Sequence, residues 1–187
     1  PTSLGSATSG TFDWYFDGSD VGLTANGEDI DAIYFMGSDL ILSTSGGFDV
    51  PGVSGKDEDL IRFSPTSLGT DTSGTWSLYF DGSDIGLDTS SDEDSWGVWI
   101  DETNGDIYLT SRGSYSADGV SGDCDDIYVC SPVSLGDNTS CSFRLHFDGE
   151  SVGYADERID GIMIKRDLGA AIRKHVVTED TGPITIG

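Results

Sequence analysis

A five-residue block near the start of the chain recurs twice, so the chain is a tandem array. The block occurs as PTSLG at 1–5, PTSLG at 65–69 and PVSLG at 132–136. A second mark keeps the same spacing from the first: YFDGSDVGL at 15–23, YFDGSDIGL at 79–87 and HFDGESVGY at 146–154. Periods this long are typical of units that each form one supersecondary module and bury an apolar face against a neighbour.

These marks divide the chain into four segments that we expect to form one structural unit. They are repeat 1 at 1–64, repeat 2 at 65–131, a partial repeat 3 at 132–166 and an atypical tail at 167–187.

The charge balance excludes two classes of partner. The chain has 34 acidic and 9 basic residues, for a formal net charge of -25. Such a surface repels a polyphosphate backbone and an anionic membrane, so neither nucleic acid binding nor membrane insertion is expected. No apolar run approaches the roughly 20 residues of a spanning helix. The abundance of Gly, Ser, Thr and Asp is instead typical of β-rich secreted or surface modules.

Apolar and polar residues alternate in each repeat with the period of a half-buried strand. The predicted first strands are 12–16, 76–80 and 143–147, and the second strands are 30–36, 96–100 and 159–164. The predicted third strands are 40–44 and 107–110, and the fourth strands are 60–63 and 127–130.

The predicted fold is therefore all-β, with three tandem four-stranded antiparallel meanders of which the third is degenerate. The sheets are expected to pack face to face like propeller blades, although fewer than four blades cannot close a ring. The alternatives are a closed pseudo-three-fold barrel and a β-sandwich.

Up-and-down strand order gathers the long acidic loops at one edge of each sheet, where function is usually mounted. Carboxylates that converge with loop carbonyls suit a hard cation such as Ca²⁺, which takes 6 to 8 oxygen ligands. The alternative is that these acids are solvated turn residues. The candidate metal ligands are Asp17, Asp20, Glu28, Asp29, Asp31, Asp57, Asp59, Asp81, Asp84, Glu93 and Asp94.

The sequence contains no convincing catalytic constellation, so an enzyme is not expected. Glycoside hydrolysis needs two suitably spaced carboxylates, but acids are so abundant here that their presence discriminates nothing. The competing class is a carbohydrate-binding or glycoside-hydrolysing propeller-like protein. An outward aromatic strip would stack on sugars or, alternatively, pack across strands; its members are Tyr15, Tyr79, Trp99 and Tyr108.

The three cysteines lie close together at the junction of repeats 2 and 3. Cys130 aligns with Phe63 and Cys141 with Gly74, so this pair brackets the PVSLG connection. We predict that they form a disulfide, with buried thiols as the alternative. Cys124 would then be free or paired with another chain.

The end of the chain concentrates positive charge and loses the repeat pattern. Five of the nine basic residues lie there: Arg158, Lys165, Arg166, Arg173 and Lys174. These residues form a predicted interface that docks on the acidic, open-edged start of another subunit and completes its sheet by strand addition. Such head-to-tail contacts generate filaments. The alternative is that the tail caps its own array.

The string FDGSDVGL, with EDIDAI downstream and PGVSGKDEDLIRFSPTSLG closing the unit, resembles an uncharacterised tandem β repeat of large secreted or surface proteins of bacteria. The resemblance covers about residues 1–165 and implies an extracellular or cell-surface setting. The expected function is a structural or adhesive extracellular module that assembles into filaments and binds Ca²⁺ at its acidic loops.

Overall fold

The structure, a computed structural model, describes residues 1–154 and 157–165 of the chain and is all-β. Its strands in repeat 1 are β1 (Ile30–Met36), β2 (Asp39–Thr44), β3 (Phe48–Val50), β4 (Val53–Gly55) and β5 (Leu60–Ser67). Those in repeat 2 are β6 (Ser73–Phe80), β7 (Ser95–Ile100), β8 (Ile107–Ser111), β9 (Tyr115–Ala117), β10 (Val120–Gly122) and β11 (Ile127–Ser134). Strand β12 (Ser140–Phe147) follows in repeat 3.

These strands form two four-stranded sheets and two small hairpins, all antiparallel. Sheet I has the order β1-β2-β5-β6, and sheet II has the matching order β7-β8-β11-β12. The hairpins β3–β4 and β9–β10 are inserted between the third and fourth strands of each repeat. Short 3₁₀ turns occupy Gly18–Val21, Asn26–Glu28, Ser83–Ile85 and Glu150–Val152.

The sheets are out of phase with the sequence repeats, which corrects the prediction of a meander contained within one repeat. Strand β6 opens repeat 2, yet it pairs with β5 of repeat 1, and Phe63 faces Trp76 in the register. A short loop at 68–72 joins these two strands, whereas residues 81–94 separate β6 from β7. Pairing along the short connection closes the smaller loop, so each sheet takes its last strand from the next repeat.

Two predicted strands are not formed in the described part of the chain. Residues 12–16 of repeat 1 lie outside every sheet, because β5 and β11, the fourth strands of repeats 1 and 2, pair with β6 and β12 of the repeats that follow them. Residues 159–164 of repeat 3 are likewise irregular, so a third four-stranded meander is absent from residues 1–154 and 157–165.

The main core lies between the two sheets. It combines buried side chains of sheet I, including Ile41, Leu60 and Phe80, with side chains of sheet II such as Leu109 and Tyr128. A second cluster covers the other face of sheet I beneath its hairpin. Full burial of one such side chain contributes about 1.5–3 kcal/mol to stability. The two sheets therefore share this core.

Among the described residues, neither sheet closes on itself, so the predicted pseudo-three-fold barrel is not formed. The propeller-like ring remains a prediction.

Candidate functional site

A loop of repeat 2 is clamped onto the FDGSD loop of repeat 1. The backbone N–H of Asp17 donates to the Thr72 hydroxyl at 2.9 Å, and the backbone N–H of Thr72 donates to Asp20 Oδ2 at 2.9 Å. The Thr72 hydroxyl also donates to the Gly69 carbonyl at 2.8 Å, which fixes its orientation. Because Thr72 is 4% exposed, these bonds are shielded from water and stabilise the contact between repeats.

The same clamp joins repeats 2 and 3. The backbone N–H of Asp81 donates to the Thr139 hydroxyl at 2.9 Å, and the backbone N–H of Thr139 donates to Asp84 Oδ2 at 2.8 Å. The FDGSD segments and the threonine segments, DTS at 71–73 and NTS at 138–140, are thus two halves of one inter-repeat contact.

Four candidate metal ligands belong to these clamps. The carboxylate of Asp17 accepts from the backbone N–H and the hydroxyl of Ser19, and Asp81 accepts in the same way from Ser83. Asp20 and Asp84 accept from the threonine N–H groups of the following repeat. Each therefore makes the turn and capping bonds typical of aspartate in loops.

Glu28 and Glu93 each tie a loop to a hairpin. Glu28 is buried and accepts from the backbone N–H groups of Thr24, Ala25 and Asp49, with distances between 2.6 and 3.0 Å. These backbone hydrogen bonds hold the pKa of Glu28 below its ordinary value. Glu93 makes the equivalent three backbone contacts in repeat 2, with distances between 2.7 and 3.1 Å.

The structure brings Asp31, Asp57 and Asp94 together at the junction of repeats 1 and 2. Asp94 is 1% exposed, and neither of its carboxylate oxygens has a hydrogen-bond partner. Burial, and then the charges of Asp31 and Asp57, raise the pKa of Asp94 to about 7. Asp29, which aligns with Asp94 in repeat 1, is exposed.

Asp59 links the same junction through backbone contacts. It accepts from the N–H groups of Lys56 and Gly82, at 2.9 and 2.8 Å. The side chain of neighbouring Glu58 lies against Gly82, and a Cβ at that glycine would be 2.6 Å from the Glu58 Cγ. Burial and the adjacent carboxyls of Asp57 and Asp59 raise the pKa of Glu58 to about 7.

The tightest group of carboxylates lies in a loop of the predicted acidic edge of repeat 2, although its members are not among the predicted ligands. Oxygens of Asp123, Asp125 and Asp126 lie within 4.8 Å of one another, so this triad could hold a metal ion. The neighbouring carboxyl of Asp123, followed by burial, raises the pKa of Asp125 to about 6. The signal that would have found the triad is a comparison between repeats, because Asp123 stands where repeat 1 has Lys56.

The predicted interface residues have different environments. The guanidinium of Arg158 lies 5.3 Å from the Trp96 ring centroid, so it contacts its own repeat array. Lys165 is exposed. Arg166, Arg173 and Lys174 lie outside the described residues.

The cysteines are arranged as the sequence predicts. Cys130 and Cys141 form a disulfide with their Cα atoms 5.3 Å apart, and Cys124 is a free thiol of intermediate exposure. The disulfide replaces an aromatic contact of repeat 1, where the Phe63 ring lies over Gly74 and would be 2.5 Å from a Cβ there.

Three residues of the predicted aromatic strip pack against neighbouring aromatic rings. Trp99 packs edge-on against Tyr34 and Tyr108, whereas Tyr15 packs against Phe35. These T-shaped contacts are typical of packing across strands. An exposed aromatic group remains near the start of the chain, lined by Phe12, Trp14, Tyr15, Phe16, Ile33 and Phe35.

No helix within the described ranges is both long and apolar enough to cross a membrane. Comparisons with protein-family models, with curated proteins and with solved structures found no match to this chain.

Proposed function

We propose that this chain is a non-enzymatic extracellular structural or adhesive module whose units join head to tail. The observation that carries the proposal is the clamp that is used twice inside the chain, at Thr72 and at Thr139. The first repeat has the threonine half of this clamp, and the third repeat has the loop half in the altered form FDGES, with Ser151 at the position of the acceptors Asp20 and Asp84. A second copy of the chain supplies the missing partner for each half.

The N-terminal half is already formed in the isolated chain. The Thr8 hydroxyl donates to the Gly5 carbonyl at 2.7 Å, as Thr72 does to Gly69 at 2.8 Å. Ser3 bonds to Ser9 at 2.9 Å, as the aligned serines of repeat 2 do at 2.8 Å. A preorganised loop loses little conformational entropy on docking.

Apolar side chains beside both halves are exposed. Phe12, which aligns with Trp76 of repeat 2, is 99% exposed, and Leu4 is 78% exposed. At the other end Val152 and Tyr154 are 59% and 57% exposed, although their counterparts Ile85 and Leu87 are buried. If two chains joined in the way that repeats 1 and 2 join within the chain, one contact would bury the exposed side chains of both ends.

The proposed contact is heterologous, because a loop of one chain meets a different surface of the next. Such contacts extend into filaments unless the rotation between subunits closes a ring. The unpaired segment 12–16 adds to this contact, since its counterpart β6 is the edge strand of a sheet built largely by the preceding repeat.

The proposal is tested by sedimentation velocity over a range of concentrations, with negative-stain electron microscopy of the largest species. We expect the wild-type chain to assemble with concentration, and Phe12→Ser to shift it to monomer without loss of thermal stability, because Phe12 makes few contacts in the monomer. Val133→Ser is the matched control, since Val133 is 81% exposed and belongs to β11, outside the N-terminal loop and the FDGES loop that are proposed to join.

A wild-type chain that stays monomeric at all concentrations would contradict head-to-tail joining. Equal assembly of the Phe12→Ser variant and the wild type would show that another surface is responsible.

The extracellular setting is part of the same proposal. It is supported by the Cys130–Cys141 disulfide, because disulfides persist in oxidising compartments. It is also supported by the resemblance of the FDGSD and PTSLG repeats to those of bacterial surface proteins. We further propose that the acidic loops bind Ca²⁺ in that setting.

Glycan binding is the second candidate function. The exposed group around Trp14, Tyr15 and Phe35 offers aromatic faces on which a sugar ring would stack. A glycan array with the wild-type chain and with Trp14→Ala separates the two functions. Binding that Trp14→Ala abolishes would favour a carbohydrate-binding module.

A further inference from the structure

The two junctions of the array differ in the charge of the loop before the fourth strand. Repeat 1 has Lys56 there, followed by Glu58 and Asp59, whereas repeat 2 has Asp123, followed by Asp125 and Asp126. Repeat 1 thus combines one ammonium group with the three carboxylates of Asp57, Glu58 and Asp59, whereas repeat 2 has three carboxylates and no ammonium group. We propose that the Asp123, Asp125 and Asp126 triad binds a divalent cation of the Ca²⁺ class, which replaces the positive charge of Lys56.

The triad has the geometry of a cation site. Its carboxylate oxygens lie within 4.8 Å of one another, with Asp123 exposed to solvent and the other two side chains buried. An ion can therefore enter past Asp123 and meet Asp125 and Asp126 below it. Three carboxylates offer six oxygens, and water completes the coordination shell that Ca²⁺ requires.

Buried oxygens without partners give independent support. Asp125 is 1% exposed, and neither of its carboxylate oxygens has a hydrogen-bond partner. A buried carboxylate in this position is costly unless a cation or a donor compensates for its charge.

A second unpartnered oxygen points to the same place. The hydroxyl of Tyr115 has no hydrogen-bond partner, and Tyr115 is 3% exposed. A Cβ on Gly122 would lie 2.8 Å from this hydroxyl and 1.9 Å from Asp126 Oδ2, so both atoms crowd onto one glycine. Repeat 1 has Phe48 at this position, so the hydroxyl occurs in the repeat that has Asp123 in place of Lys56.

The hydrogen bonds that hold the last aspartate are longer in repeat 2. Asp126 accepts from the N–H groups of Asp123 and Gly149 at 3.3 and 3.4 Å. The aligned Asp59 makes the same two contacts at 2.9 and 2.8 Å. Backbone donors thus compensate the Asp126 charge less well than that of Asp59, which leaves its oxygens more available to a cation.

An all-oxygen ligand set selects the class of ion. Carboxylates and water suit Ca²⁺, whereas Zn²⁺ favours cysteine and histidine ligands. Mg²⁺ demands a stricter octahedral geometry and keeps more of its water. We therefore expect Ca²⁺ to bind more tightly than Mg²⁺.

A bound ion would hold repeat 2 against repeat 3. Asp126 contacts the Gly149 N–H of the FDGES loop, and a Cβ at Gly149 would lie 2.9 Å from the Asp125 Cγ. The calcium part of the proposed function rests on this triad, whereas head-to-tail joining does not depend on it.

The test is isothermal titration of the chelator-treated full-length chain with CaCl₂ and with MgCl₂, supported by Tb³⁺ luminescence excited through tyrosine. We expect one Ca²⁺ site, with a Kd between about 10⁻⁵ and 10⁻³ M. Ca²⁺ should also raise the melting temperature, and chelation should reverse this rise.

Two variants locate the site. Asp123→Lys installs the residue of repeat 1, so it should fold, reduce Ca²⁺ affinity by at least about tenfold and remove the thermal shift. Asp125→Asn keeps the side-chain shape and should weaken binding to a similar degree. Asp88→Asn is the control, because Asp88 is exposed and remote in sequence from the triad, and it should bind Ca²⁺ like the wild type.

The proposal fails if the wild-type chain binds no Ca²⁺, or if both triad variants bind Ca²⁺ as tightly as the Asp88→Asn control. Sedimentation velocity in excess chelator distinguishes this failure from failure of head-to-tail joining, because assembly there depends only on the terminal surfaces.

Discussion

The hydroxyl of Thr72 accepts a hydrogen bond from the backbone N–H of Asp17 across a boundary between two repeats, at 2.9 Å. The two residues are 55 positions apart in the chain, yet each belongs to a motif that recurs with the repeat. The conspicuous sequence marks of this array are therefore the two surfaces through which one repeat holds the next.

Removing the Thr72 hydroxyl should weaken the array from within. Thr72→Ala leaves the Asp17 N–H and the Gly69 carbonyl without their partner, and we expect a loss of about 1–3 kcal/mol in the free energy of unfolding. Urea denaturation monitored by tryptophan fluorescence measures it. Thr8→Ala is the matched control, because Thr8 is the exposed counterpart, and it should leave monomer stability unchanged while weakening assembly.

The Glu28 carboxylate should make stability depend on acid pH. Its pKa in the folded chain lies below the unfolded value, so it stabilises the fold above that unfolded value, and this contribution is lost as the pH falls through the folded pKa. Glu28→Gln should cost about 1–2 kcal/mol at pH 7 and progressively less in acid. Denaturation at several pH values checks this, and Glu157→Gln at an exposed site should show no such trend.

Asp94 should have the opposite effect on the pH dependence of stability. Its pKa is about 7 in the folded chain, above its ordinary value, so the folded state holds the proton more tightly and stability falls as the pH rises towards 7. Asp94→Asn removes the buried charge and should stabilise the protein by about 1–2 kcal/mol at pH 8, with little effect at pH 4. Asp29→Asn, at the exposed counterpart, should leave the free energy of unfolding unchanged at both pH values. An equal gain in stability from both variants would contradict this account.

The disulfide should stabilise the junction of repeats 2 and 3. Reduction of Cys130–Cys141 opens a loop with a sequence separation of 11 residues and should lower the free energy of unfolding by about 2–4 kcal/mol. Thermal melts with and without a thiol-free reductant measure the change. The double variant Cys130→Phe with Cys141→Gly reproduces the pair of repeat 1 and should be insensitive to reductant, whereas Cys124→Ser should remain sensitive.

Strand positions were predictable because alternation is a local signal. The predicted second strand 30–36 coincides with β1, and the predicted fourth strands 60–63 and 127–130 lie within β5 and β11. The grouping of strands into sheets was not predictable from the repeat boundary. It depends on which connection is short enough to form a hairpin, and that connection crosses the boundary.

The predicted acidic residues show why composition alone could not locate a cation site. Glu28 and Asp20 look like ligands in the sequence, but backbone N–H groups occupy their oxygens. The triad that includes Asp123 is distinguished only by a comparison with Lys56 in repeat 1 and by the burial of Asp125.

The sequence by itself determined the period of the array, the all-β class, the cysteine pair and the excess of negative charge, because each follows from residue identity or short-range spacing. Only the tertiary structure decided which strands share a sheet, which carboxylates meet and which are buried without a partner. Those properties depend on contacts between segments that are distant in sequence, such as the contact between Asp17 and Thr72. On folding, the donors and acceptors of these segments lose their hydrogen bonds to water and bond to each other.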